Sequence, residues 1–215
     1  VVGLRPAPGP VPVYPRPAGW FPISVQGPMA RTVQDTALLL SAMAGPDARA
    51  PIAIAEPGNK FSLPLDRDFS GVRMAWCRDL GGLPVDRRVA QVIDAQRRVF
   101  EDFGGRVEEA TPDLRDADET FKVWRAWYFA LSFGDLLRTH RRLIKDTIIW
   151  NVEEGLRLTG SQIAQAERQR TDLYHRFRVF MQRYEFLICP VSQVPPFDIK
   201  TRFIAEINGE KMETY

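Results

Sequence analysis

Apolar and polar positions recur with a helical period at several places along the chain, and the clearest run begins just past residue 30. Ala37, Leu38, Leu40, Ala42 and Met43 follow Thr32 and Asp35 at helical spacing, and Gly45-Pro46 ends the run. The Thr32 hydroxyl is placed to accept from the N–H of residue 35 while Asp35 reaches back, so 27–45 is expected to hold a capped, mostly buried helix. Ahead of it, prolines at 6, 8, 10, 12, 15, 17, 22 and 28 leave no window for regular structure. A long ordered loop over 1–26 is therefore expected to feed this helix.

The pattern then changes. Residues 46–70 carry turn residues around short apolar pieces and read as a connector. Val72 to Trp76 predicts a short strand, and Asp86 caps a helix on which Val89, Val92, Ile93, Val99, Phe100 and Phe103 mark one face. Gly104-Gly105 ends that helix and Arg106 to Glu109 predicts a second strand, so 71–109 reads as a right-handed parallel βαβ unit.

From Asp116 to Tyr184 the period is helical, with Gly155 and Gly160 expected to interrupt it. Phe121, Trp124, Trp127, Tyr128, Leu131, Leu136 and Leu137 make the first part heavily aromatic. Thr159 and Gln162 form a second capping-box signal, and Ile163, Ala166, Leu173, Phe177, Phe180 and Tyr184 follow at spacings of 3, 7, 4, 3 and 4. Phe186 to Cys189 is short and apolar, the signature of a buried strand, and Pro190 with Pro195-Pro196 begins an irregular loop.

Several of these stretches together resemble the amidase signature family, serine-dependent hydrolases of amides. They are Gly3-Leu4-Arg5-Pro6, the turn Pro8 to Pro12, Gly27 to Val33 with Asp35, Gly71-Val72-Arg73, Pro84-Val85-Asp86, Phe103 to Val107, and Tyr184 to Pro190. Pro10, Cys189 and Val191 depart from the family's usual residues. The resemblance implies an α/β fold, a mixed β-sheet core flanked by helices, incomplete in this chain. It places 1–215 as a partial domain: loop and buried helix over 1–45, the βαβ unit over 71–109, a helical insertion and long helix over 112–184, and a core strand over 186–189. The family's catalytic serines and lysine are expected to lie outside this sequence, so the chain is expected to be an interior portion of an enzyme and inactive by itself.

Bulk properties restrict the remaining options. At 215 residues, 45% hydrophobic and 26% charged, the chain has the composition of a soluble globular protein, with no apolar run near the roughly 18 residues of a membrane span. A net charge of +2 is too small to point to nucleic acid, and Glu167, Asp172 and Glu185 interrupt the basic stretch over 168–183. Cys77 and Cys189 lie far apart in sequence, imply no disulfide framework and favour a reducing, cytoplasmic setting.

Candidate chemistry is sparse. The serines are scattered singles outside any G-x-S-x-G, and only Ser192, just past the apolar strand, has a site-like position. His140 and His175 form no ligand cluster, the turn Gly81-Gly82 precedes Asp86 rather than a phosphate-binding pattern, and no metal or cofactor is expected. No catalytic residue is therefore assigned within the chain. The resemblance makes the helical insertion part of a substrate gorge, which singles out Trp124, Trp127, Tyr128 and Trp150 as pocket candidates for an apolar or aromatic amide. The same residue pattern also fits plain helix packing. Arg31 and Asp35, at i,i+4, are expected to pair and to hold the loop over 22–29 against the helix start.

The expected function is that of an amidase portion whose parent converts a carboxylic amide to acid plus ammonia or amine through an acyl-serine intermediate. Alternatives are a non-catalytic α/β scaffold or subunit, and an amidotransferase-type subunit of the same family. The expected partners are a small-molecule amide and either a second copy or the missing parts of the enzyme, with no nucleic acid and no membrane.

Overall fold

The computed structural model describes residues 1–212. The chain divides into two compact units, each assembled from two separated stretches: 1–67 with 125–157, and 68–124 with the residues from Leu158 onward.

In the first unit, strand β1 (Val2–Gly3) pairs antiparallel with β2 (Met29–Ala30) and closes the proline-rich loop between them. Gly27 permits the closure, because a Cβ there would stand 2.0 Å from the Leu4 carbonyl oxygen. The Arg5 guanidinium donates to the Ile23 carbonyl at 3.0 Å and ties the loop to its own start. Helix α1 (Val33–Met43) begins at Thr32, whose hydroxyl accepts from the Asp35 N–H at 3.0 Å. It buries only Thr36 and Leu40; Leu38 is 67% exposed, and Val33 and Leu39 are also open. The expected mostly buried helix is corrected by this: a 3-10 turn over Gly58–Ser62 packs against it, and among the described residues Val33, Leu38 and Leu39 stay open.

The stretch 125–157 of that unit is mostly helical. The second part of helix α3 (Ala117–His140), from Arg125, is followed by a 3-10 turn and by α4 (Asp146–Arg157). Gly155 lies inside α4 and does not interrupt it, contrary to its expected role. A Cβ there would stand 2.0 Å from the Ala126 carbonyl oxygen and 2.7 Å from the Ala130 methyl, so the glycine lets the two helices touch backbone to backbone. Val152 and Asn151 are fully buried beside this contact.

The second unit holds the sheet. Strands β3 (Arg73–Trp76), β4 (Arg106–Glu109) and β5 (Phe186–Ile188) lie in the order β4-β3-β5, all parallel. Met74, Ala75, Trp76 and Cys77 of the central strand are buried, as a strand covered on both faces requires. Helix α2 (Arg87–Asp102) links β3 to β4, capped by Asp86, which accepts from the Arg88 N–H at 2.8 Å. Phe100 meets the edge of Trp76 at 6.0 Å between ring centres, whereas Val92 and Val99 on the expected apolar face stay open.

Helix α5 (Gly160–Met181) starts with a reciprocal box: Thr159 accepts from the Gln162 N–H, and the Gln162 side chain accepts from the Thr159 N–H at 2.9 Å. Arg176 on this helix donates to the Arg115 carbonyl at 2.6 Å, fastening the turn that precedes α3. Past β5, where only irregular loop was expected, β6 (Glu206–Ile207) and β7 (Glu210–Lys211) form a hairpin. Asn208 and Gly209 both have positive φ, the backbone that a two-residue hairpin loop demands. The Asn208 amide donates to the Val85 carbonyl at 2.7 Å.

Candidate functional site

Parallel strands end with their carboxyl termini on one side of a sheet, and the loops that leave there form the usual ligand crevice of α/β folds. In the second unit the chain leaves β3 through Cys77-Arg78-Asp79 and leaves β5 through Cys189-Pro190-Val191-Ser192. Between these exits lies a cavity of about 310 Å³, walled by Arg78, Asp79, Leu80, Leu83, Val85 and 190–193. A more apolar cavity of about 240 Å³ adjoins it through Ser192 and Gln193, lined further by Phe197, Phe203, Ile204, Ile207 and Met212, with Arg202 as its charged residue.

Hydrogen bonds hold the rim in place. The Gln193 amide donates to the Pro84 carbonyl at 2.8 Å, and the Asp86 N–H donates to the Gln193 carbonyl at 2.8 Å. Arg78 bonds Asp94 at 2.8 Å and Glu109 at 2.9 Å, and Arg97 bonds Glu109 at 3.0 Å. The Arg78 guanidinium, followed by that of Arg97, holds the Glu109 carboxyl below its ordinary range. Arg73 and the Tyr184 hydroxyl do the same for Glu108. Asp86 is lowered to about 2 by the Arg88 side chain and backbone N–H. Arg78 is thereby committed to a scaffold of carboxylates.

Ser192 sits on this rim, but its hydroxyl donates to the Val194 carbonyl at 2.9 Å in a local turn. Neither cavity is lined by a lysine or histidine. The arrangement can seat a ligand; it contains no nucleophile paired with a base. Among the described residues, no group of three or more His, Cys, Asp or Glu side chains is placed to hold a metal ion.

The aromatic pocket candidates fall in different places. Trp127 and Tyr128 pack on the buried ring of Phe21, which stacks on Tyr128 at 5.0 Å and 12° and meets Trp127 at 5.2 Å. Trp150 is 42% exposed, with the Arg125 guanidinium over its ring at 5.9 Å. Trp124 belongs to the other unit, where Arg170 lies over its ring at 5.1 Å. None of the four lines either cavity above.

Arg31 and Asp35 are both exposed, and no ion pair joins them among the described residues. The loop over 22–29 is also tied down by Arg5, which donates to the Ile23 carbonyl, and by the β1–β2 pairing. A lone arginine ahead of a proline gives no local sign of such a role.

Set against known proteins, residues 1–212 match the profile of the Amidase family. The chain belongs to the amidase family. This amidase chain is 32% identical over 205 residues to an acylamidase of Rhodococcus erythropolis, covering 93% of the chain and 42% of that protein. It is 33% identical over 119 residues to a glutamyl-tRNA(Gln) amidotransferase subunit of Pseudomonas putida, covering 52% of the chain and 25% of that relative. The fold matches the crystal structure of a bacterial aryl acylamidase of the amidase signature enzymes at a TM-score of 0.80 and 23% identity, over 97% of this chain and 46% of that one. The chain thus spans less than half the length of these relatives. No helix among the described residues is long and apolar enough to cross a membrane.

Proposed function

We propose that the protein carrying this amidase chain hydrolyses a small carboxylic amide to an acid and ammonia or an amine through an acyl-serine intermediate. The observation that carries the proposal is the family match across 1–212 joined to 32% identity with an acylamidase over 93% of the chain. The nucleophile and its base are assigned to residues outside this sequence, because Ser192 is engaged with a backbone carbonyl and neither cavity offers it a lysine or histidine. The chain would then contribute scaffold and walls, with 1–45, 71–109, 112–184 and 186–189 as pieces of one partial domain. Trp124, Trp127, Tyr128 and Trp150 are proposed as apolar wall for the acyl or amine group, Trp150 offering the most open face. Arg31 and Asp35 are proposed as positioning residues at the start of α1. Free Cys77 and Cys189 favour a cytoplasmic setting.

The test compares the whole protein with the 215-residue chain on aliphatic and aromatic amides, following release of ammonia or amine. Turnover by the whole protein alone, lowered but not abolished by Arg31→Ala, is expected. Turnover by the 215-residue chain that disappears in Ser192→Ala overturns the assignment. The partial match to the amidotransferase favours a second reading, a transamidase component, which predicts that the whole protein releases ammonia from glutamine in preference to other amides.

A further inference from the structure

Cys77 and Cys189 are 112 positions apart in sequence, yet the sheet brings them side by side. Trp76 and Ile188 are register partners on the parallel strands β3 and β5, and the Cys77 N–H donates to the Ile188 carbonyl at 2.9 Å, carrying the ladder one step further. Cys77 and Cys189 each follow by one residue, so they occupy neighbouring positions on the same face of the sheet. Both are free thiols; Cys77 is 1% exposed and Cys189 is half-buried. The Cys77 thiol donates to the hydroxyl of Thr111, just past β4, at 3.6 Å, a weak bond on the side of β3 opposite β5 that capture of a ligand with Cys189 would have to replace. Burial, followed by the neighbouring Cys77, pushes the Cys189 thiol above its ordinary range.

The spacing selects the ligand. Neighbouring strands lie about 4.8 Å apart, and side chains at matched positions of parallel strands leave the sheet side by side without converging. A disulfide needs its Cβ atoms at about 3.8 Å, closer than this arrangement offers. One interposed atom bonded to both sulfurs, with metal–sulfur bonds of about 2.3 Å, spans the gap. With no third ligand among the described residues, the pair suits a soft centre that is satisfied by two thiolates rather than a tetrahedral zinc ion. We infer that Cys77 and Cys189 form a dithiol clamp for a thiophilic centre, such as trivalent arsenic or a soft metal ion, at the carboxyl ends of β3 and β5. Pro190, adjoining the clamp, lines the larger cavity, so occupancy bears on its rim.

Phenylarsine oxide is the probe. Two S–H bonds and the arsenic–oxygen bond are exchanged for two As–S bonds and one water; arsenic stays trivalent and no oxidant is required. The intact protein is exposed to the probe, challenged with excess 2-mercaptoethanol, then unfolded in urea and alkylated with iodoacetamide, so that buried Cys77 reacts unless the probe holds it, and the sites are mapped by mass spectrometry. The expected result is one adduct that protects both Cys77 and Cys189 from iodoacetamide, survives the monothiol and is removed by dithiothreitol. Cys77→Ser and Cys189→Ser should each lower resistance to the monothiol by on the order of 10²–10⁴-fold, the usual gain from tethering two binding groups. Protection mapping in the unsubstituted protein gives the same answer without a variant, should Cys77→Ser fail to fold. An adduct no more resistant than that of the single variants, or protection of only one cysteine, overturns the inference.

Discussion

Gly155 and Gly134 provide a paired test of how the helices of the first unit pack. Both lie inside helices, Gly155 in α4 and Gly134 in α3, and replacing a helical glycine with alanine ordinarily stabilises by about 1 kcal/mol. At Gly134 nothing lies within 4 Å of an added Cβ, so Gly134→Ala should keep that gain. At Gly155 the added methyl would stand 2.0 Å from the Ala126 carbonyl oxygen, a backbone atom that cannot swing aside. The helices must separate by about 1 Å or more, and overpacking of this kind costs about 1–3 kcal/mol. With the obstacle in the backbone the upper value applies, leaving Gly155→Ala about 2 kcal/mol less stable after the propensity gain is subtracted. At about 2–4 °C per kcal/mol for a chain of this size, Tm should fall by about 4–8 °C in Gly155→Ala and rise by about 2–4 °C in Gly134→Ala. Urea unfolding followed by circular dichroism, with unchanged m-values, should give shifts of the same signs. Two alanine variants that stabilise equally would refute the close α3–α4 contact.

Three further outcomes are expected. Thr159→Ala removes the hydroxyl that caps α5 and should cost about 1 kcal/mol in urea unfolding, with Thr159→Ser restoring most of it. The Asp86 carboxyl is lowered to about 2 by Arg88, so its contribution to stability is complete above its unfolded value near pH 4 and is lost as pH falls through about 2. Acid titration of Asp86→Asn should therefore show a shallower loss between pH 4 and 2 than the unsubstituted protein, and parallel curves would remove Asp86 from the acid response. Gly27→Ala should open the β1–β2 closure, since its methyl would strike the Leu4 carbonyl, and limited proteolysis should then cut within 5–26 sooner than in the unsubstituted protein.

Signals contained within one turn of chain are legible in the sequence. Thr32, Asp86 and Thr159 announce helix starts because a cap and its N–H partner lie two or three residues apart. The Asn208-Gly209 turn was equally local, but it stands after Pro195-Pro196, which read as the start of irregular chain. Gly155 could not be read locally, since what determines its meaning is Ala126, on another helix. The exposed side of α1 is illegible for a related reason: the apolar period marks which face would take cover, while what covers it depends on residues distant in sequence. The four aromatic candidates look alike in sequence, yet Trp124 belongs to one unit and the others to its neighbour. Cys77 and Cys189 are the extreme case, adjacent through sheet register alone.

The order in which β3 acquires its neighbours has a consequence at the ribosome. Strand β4 emerges soon after β3 and α2, so one side of the central strand is paired early. Strand β5 follows about 110 residues later, a delay of roughly 5–20 s at usual elongation rates. Through that interval the other side of β3, with its apolar run Met74-Ala75-Trp76, is an open template for any passing strand. A nascent chain stalled before residue 186 should for this reason depend on chaperone cover, and release from that dependence should coincide with translation of Phe186 to Ile188.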